Sequence, residues 1–177
     1  MPALAHIGVG FASKKIASEV PVIYLILAAE FIEIIFIILW VSGIEYPPKQ
    51  NTPSFSPYSH SLFMGLFWSL FTGLITFLFS RNKRLGLIIG LLVFSHTVLD
   101  FIASPKTAFY PEDTGMPFFL NTSVTYGLGL WRNKTIGLIG EYGILLAGIV
   151  IYIITLKKLK HNNRSGNSII ANKNQIK

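Results

Sequence analysis

Apolar residues in this chain are concentrated in four long runs that are separated by short polar, basic or proline-containing stretches. The lipid interior offers no partner for an open backbone, so each run is predicted to form a helix. Each has close to the roughly 20 residues that a helix needs to cross a bilayer. The four runs cover residues 22–42, 61–80, 85–103 and 136–156.

A fifth apolar segment, ALAHIGVGFA, is too short to cross a bilayer and is followed by Lys14 and Lys15. It fits a half-helix that begins inside a helical bundle and ends at the membrane surface. The predicted fold class is therefore an all-α integral membrane protein with four transmembrane helices and an N-terminal re-entrant half-helix. Residues 1–160 form one membrane-embedded helical domain, and residues 161–177 are expected to be a disordered, polar and basic cytoplasmic tail.

The basic residues predict the orientation in the membrane. Lys14, Lys15, the turn RNKR (residues 81–84) and the C-terminal tail all lie on one side of the predicted spans. By the positive-inside rule this side is cytoplasmic, and the two longer loops face outward.

The composition is typical of a membrane protein and excludes several kinds of partner and site. Hydrophobic residues make up 51% of the 177 and charged residues only 13%, against roughly 25% charged in an ordinary soluble domain. Much of the net charge of +7 lies in the tail, where it favours contact with anionic membrane lipid. No aromatic and basic residues interleave as in a nucleic-acid interface, so no nucleic-acid partner is predicted. The chain has no cysteine, which excludes disulfides, thiolate metal ligands and cysteine nucleophiles.

Ionisable residues occur inside the predicted spans, where they are costly and usually mark function. His96 and Asp100, in FSHTVLDF, are four residues apart and therefore share one face of a helix. A rise of 1.5 Å per residue places Asp100 about 5 Å, His96 about 10 Å and Glu33 about 14 Å below the outer surface. The full set is Glu30, Glu33, His96, Asp100 and Glu141, with His60 at the outer end of the second span.

Each of these residues also has a structural interpretation. His60 can be an interfacial residue at a helix start, and Glu141 can make a helix–helix hydrogen bond or reach for water. One of Glu30 and Glu33 can be protonated and structural, because neighbouring carboxylates disfavour each other's ionisation. Taken together, imidazoles and carboxylates with few intramembrane cations favour a divalent metal. These ligand types suit zinc, with manganese or iron(II) as alternatives.

Four motifs, in order, carry a resemblance to a known family: HIGVG near the start, AEFIE, YSHSL and FSHTVLDF. They resemble those of bacterial inner-membrane metal-dependent hydrolases, a family distantly similar to zinc-dependent phospholipase C and S1/P1-type nucleases. GLGLWRN is similar to a motif of a four-span subgroup. The chain departs from the family in having glutamates without a proline in the acidic motif, and Tyr58 and Ser59 where an arginine and a glycine precede the T-H-S-L motif.

The resemblance implies a bacterial cytoplasmic membrane, a cytoplasmic C-terminus and phosphoester hydrolysis. It also implies metal ligands at His6, His60, His96 and Asp100, with Glu30 or Glu33 at the acidic motif.

The leading hypothesis is a metal-dependent hydrolase that acts on a lipid or lipid-linked phosphoester or ester near the outer leaflet. Glu33 would be a ligand or the general base, and Glu30 would support the site or act as a catalytic carboxylate. Two other functions stay open: a catalytically inactive, metal-stabilised membrane scaffold, and a small proton- or cation-coupled transporter subunit. Ser59 and Ser61, which flank His60, are expected to cap the second span rather than act as nucleophiles.

Overall fold

The computed structural model describes residues 3–47, 56–103 and 127–174, and in these ranges the protein is helical with no β-strand. Within these ranges, seven α-helices and two short 3-10 turns follow one another. They are α1 (Ala3–Ala12), the turn Ser13–Lys15, α2 (Val22–Ala29), α3 (Phe31–Val41), α4 (Pro57–His60), α5 (Leu62–Ser80), α6 (Lys83–Ala103), the turn Leu130–Arg132 and α7 (Lys134–Asn174).

Three of these helices are long and apolar enough to cross a membrane, namely α5, α6 and the first 29 residues of α7. This confirms an all-α protein with candidate membrane spans. Helices α2 and α3 pass the same test only as a pair and are bent by 57° relative to each other, so the predicted fourth crossing depends on counting the pair as one broken span.

The prediction of one continuous helix over residues 22–42 is wrong at Glu30. Its backbone (φ −92°, ψ 3°) ends α2 and starts α3, although neither proline nor glycine lies at the break. The carbonyl of Ala29 accepts a hydrogen bond from the ring of His96 at 3.0 Å. A helix often kinks where a side chain forms a hydrogen bond with one of its backbone groups. Here the ring of His96 bonds to a backbone carbonyl at the break.

Helix α7 is longer than its predicted span and continues to Asn174. It therefore runs through residues 161–174, for which the sequence predicted a disordered tail. These residues contain no proline, so nothing in the backbone chemistry of the stretch forces the helix to end at the membrane surface.

Helix α1 is held between α7 and α2 by glycines. A Cβ on Gly8 would lie 2.6 Å from the carbonyl oxygen of Ile144, and one on Gly10 would lie 2.8 Å from the Cα of Ile26. A Cβ on Gly148 would overlap the carbonyl oxygen of Gly8. The three glycines thus allow backbone-to-backbone approach, as small residues do between membrane helices.

Basic residues gather at one end of the bundle. The Lys14 ammonium donates to the carbonyls of Ser18 and Val20, each at 2.7 Å. The Arg84 guanidinium donates to the carbonyl of Ile16 at 2.7 Å. The turn after α1 and the turn before α6 are therefore joined by the residues that the charge pattern assigned to one side.

The motif GLGLWRN lies against the start of α7. The ring of Trp131 packs where a Cβ on Gly137 or Gly140 would lie, and the Leu128 N–H donates to the carbonyl of Phe101 at 2.7 Å. The motif therefore joins the end of α6 to the beginning of α7.

Replacing Gly148 with alanine should destabilise the protein, because the new methyl group would overlap the backbone of α1. We expect a loss of about 1–3 kcal/mol, seen as a melting temperature in detergent lowered by roughly 3–10 °C. Gly143→Ala in the same helix is the matched control, since no atom lies within 4 Å of its Cβ position. Equal melting temperatures for the two variants would contradict the proposed α1–α7 contact.

Candidate metal centre

Five side chains from four helices meet inside the bundle. His6 comes from α1, Glu33 from α3, His60 from the last position of α4, and His96 and Asp100 from α6. The side chains of His6, His60, His96 and Asp100 are at most 2% exposed, whereas that of Glu33 is 15% exposed. The structure thus brings together the three histidines and Asp100 of the predicted ligand set, and of the two glutamates at the acidic motif it places Glu33 in the cluster.

The separations between ligand atoms match those around a single ion. His96 Nε2 lies 3.4 Å from Asp100 Oδ2 and 3.9 Å from Glu33 Oε1. His60 Nε2 lies 3.6 Å from Asp100 Oδ2 and 3.7 Å from Glu33 Oε1. Ligands bonded to a tetrahedral ion at about 2.0–2.1 Å stand about 3.3–3.5 Å apart, so each of these four pairs is close to the spacing that a shared ion would impose.

The orientation of His96 is set from outside the cluster. Its Nδ1 lies 3.0 Å from the Ala29 carbonyl, and a carbonyl oxygen can only accept, so Nδ1 carries the proton. The lone pair of Nε2 therefore points toward Glu33 and Asp100. A metal-binding histidine is commonly held in this way by a hydrogen bond to its other ring nitrogen.

His6 approaches from the other side of His96. The two rings stack with their centroids 3.7 Å apart and their planes 7° from parallel. His6 Nε2 lies 3.8 Å from Asp100 Oδ1, the carboxylate oxygen that is not the one nearest to His60 and His96. His6, His96 and Asp100 also form a set of ligand atoms that lie within 4.8 Å of one another.

The chemistry of this donor set fits a divalent ion. Glu33 Oε1 and His96 Nε2 are buried and make no hydrogen bond within the part of the chain that the structure describes. Burying such atoms without a partner is costly, and an ion at the centre of the cluster would satisfy both. The buried histidine, aspartate and glutamate cluster can therefore hold a metal ion.

Two further glutamates of the predicted set lie outside the ligand groups. Glu30 is half-buried at the helix break and lies close enough to Glu33, His96 and Asp100 to interact with their charges. Glu141 Oε2 accepts from the N–H of Leu4 at 3.0 Å, which confirms its interpretation as a helix–helix hydrogen bond. Glu141 holds the first turn of α1, and with it the helix that carries His6.

The serines beside His60 have different roles. Ser61 accepts from the N–H of Met64 at 3.2 Å and caps α5, as predicted. Ser59 instead contacts the His60 ring and the carboxylate of Glu45. Glu45 is only 1% exposed, and no role was predicted for it from the sequence. A single acid directly after an apolar run and before Pro47 and Pro48 was the available signal.

The chain matches no protein-family model, and no curated protein sequence or solved structure is significantly similar to it.

Replacing His96 with alanine, or Asp100 with asparagine, should abolish metal binding, because the first change removes a ligand nitrogen and the second removes a negative charge and replaces a carboxylate oxygen with NH₂. We expect about one ion per chain in the purified wild type and less than a tenth of that in either variant, by element-resolved metal analysis. His161→Ala is the control, since His161 is exposed near the C-terminal end of α7. Equal metal content in all four proteins would contradict the site.

Proposed function

We propose that the protein is a membrane-embedded, metal-dependent hydrolase that acts on a lipid or lipid-linked phosphoester or ester near the outer leaflet. The observation that carries this proposal is the pair of three-residue ligand sets that share His96, with greater exposure on the side of Glu33. Three protein ligands leave the fourth position of a tetrahedral ion open, as in a catalytic site, whereas a closed structural site has all four positions filled by protein.

His60, His96 and Asp100 would hold the ion, with Glu33 beside it on the exposed side and His6 as a partner of Asp100. Zinc is the first choice for this mixture of nitrogen and oxygen donors, with manganese or iron(II) next. When bound, such an ion supplies Lewis acidity toward a phosphoryl or carbonyl oxygen.

Glu33 and Glu30 would have different roles beside the ion. Glu33 lies on the accessible side, where a substrate group would enter. Glu30 is outside the ligand set but next to it, with Oε1 buried and without a hydrogen-bond partner in the described part of the chain. It is therefore placed to accept a proton from an attacking water, the task of a general base.

We also propose a location and an ancestry. The bent pair α2 and α3 would form the fourth crossing, and the end carrying Lys14 and Arg84 would face the cytoplasm together with the C-terminus. The membrane would be the bacterial cytoplasmic membrane, and the chain a diverged relative of the inner-membrane metal-dependent hydrolases. The order of the motifs and the joining of basic turns at one end support this view.

Glu30→Gln should separate metal binding from catalysis, because it removes a base and leaves all five residues of the cluster unchanged. We expect wild-type metal content with turnover lowered by about 10²-fold or more. The assay is release of nitrophenol from bis(p-nitrophenyl) phosphate and of headgroup from mixed phospholipid micelles. Glu19→Gln, in the exposed turn before α2, is the control. Full metal content without turnover of any phosphoester or ester by the wild type would contradict the hydrolase proposal and favour a metal-stabilised scaffold.

The orientation can be tested with single cysteines, because the native chain has none. Ser42 and Ser18 are both exposed and lie after α3 and before α2, respectively. In intact cells, a membrane-impermeant maleimide should label Ser42→Cys at once and Ser18→Cys only after the membrane is permeabilised. The reverse pattern would show that the basic end faces outward.

A further inference from the structure

We propose that Glu45 and Ser59 are positioning residues that hold the His60 ring in the tautomer whose Nε2 can bind the metal. The inference rests on the metal site of the proposed function. It assigns a role to two residues outside the five-residue cluster.

Glu45 is fixed at the end of α3 and reaches the start of α4. Its own N–H donates to the carbonyl of Leu39 at 3.2 Å. Its Oε1 accepts from the backbone N–H groups of Tyr58 at 2.7 Å and Ser59 at 3.0 Å. Both donors are backbone amides, so Oε1 acts only as an acceptor, as an ionised carboxylate does.

The Ser59 hydroxyl then has one orientation for its single proton. Its Oγ lies 2.6 Å from Glu45 Oε2, the length of a hydrogen bond from a hydroxyl to a carboxylate. The carbonyl of Ser56, at 3.4 Å, is a much poorer acceptor. The proton therefore goes to Glu45, and the oxygen is left as an acceptor.

His60 completes the chain of hydrogen bonds. Its Nδ1 lies 2.7 Å from Ser59 Oγ, and because that oxygen has already donated its proton, Nδ1 must be the donor. Nε2 is consequently unprotonated and faces Glu33 and Asp100. His60 therefore has the same tautomer as His96. In His96 the Ala29 carbonyl enforces it, whereas in His60 it is enforced by Ser59 and Glu45.

The ring and the segment that carries it are also held sterically. Phe36 packs edge-on against the His60 ring, with centroids 5.5 Å apart and planes at 82°. The Trp68 indole donates to the carbonyl of Tyr58 at 2.9 Å. Because these contacts position His60 without its ring nitrogens, a change in Ser59 or Glu45 acts on the protonation pattern more than on the position of the ring.

Glu45→Gln is the sharpest test. It keeps the shape of the side chain but replaces the acceptor oxygen that faces Ser59 with a hydrogen-bond donor. The amide oxygen can still accept from the two backbone N–H groups, but the NH₂ group now donates to Ser59. The Ser59 proton then goes to His60 Nδ1, and Nε2 carries the proton that blocks the metal. We expect zinc affinity to fall by about 10–100-fold, measured by competition with a zinc-binding indicator in detergent.

Three serine variants complete the comparison. Ser59→Ala removes the acceptor for Nδ1 and should weaken zinc binding similarly, whereas Ser59→Thr keeps the hydroxyl and should retain the wild-type affinity. Ser61→Ala is the matched control: it removes the cap of α5 beside His60 and should lower stability without changing zinc affinity.

The tautomer can be read without any metal. Long-range ¹H–¹⁵N spectra of the metal-free protein, assigned by the loss of one ring in His60→Ala, should show Nδ1–H for His60 in the wild type and Nε2–H in Glu45→Gln. A wild-type protein that binds no zinc would overturn the proposed function. Wild-type zinc affinity in Glu45→Gln and Ser59→Ala, or an Nε2–H tautomer in the wild type, would overturn the positioning role alone.

Discussion

The hydrogen bond between His96 and the Ala29 carbonyl connects the backbone of the broken span to the chemistry of the site. In a lipid environment an unsatisfied backbone carbonyl costs several kcal/mol, so a helix can bend there only where another donor is present. His96 supplies that donor with Nδ1, and the same bond fixes Nε2 toward the ligand cluster. Beyond the bend, α3 places Glu33 opposite Asp100. Removal of this one bond would thus disturb the helix path, the tautomer of His96 and the position of Glu33 together.

A second constraint concerns the N-terminal half-helix. This helix has only ten residues and must still place His6 in a buried cluster. Close approach through Gly8 and Gly148 brings α1 against the backbone of α7, and Glu141 binds the N–H of Leu4 at its first turn. An N-terminal helix turn has unsatisfied N–H groups, and inside a bundle a carboxylate from a neighbouring helix is an effective acceptor. Glu141 therefore contributes to the site by holding a helix rather than by touching an ion.

Much of this arrangement was accessible from the sequence because it follows from hydrophobic length and from the cost of charges in lipid. The three long apolar helices, the short first helix and the intramembrane residues Glu33, His96 and Asp100 came from those two considerations, whereas His6 was assigned as a ligand through the resemblance of the motifs. The bend at Glu30 did not, because its cause is a partner 67 residues away and no proline or glycine marks it. Glu45 was missed for a similar reason: its partners are backbone N–H groups of a four-residue helix whose position depends on the tertiary fold.

The two central histidines show how a site this small can be preorganised. His96 is held by a backbone carbonyl and His60 by a serine that is itself held by Glu45, so neither ring depends on the ion for its orientation. Ligands fixed in this way need little reordering when an ion binds, so less of the binding free energy is lost to conformational entropy. Glu33 differs, because it is the most exposed of the five and lies in the first turn of α3, just beyond the bend. The cluster therefore has rigid histidines on one side and a more exposed carboxylate on the other.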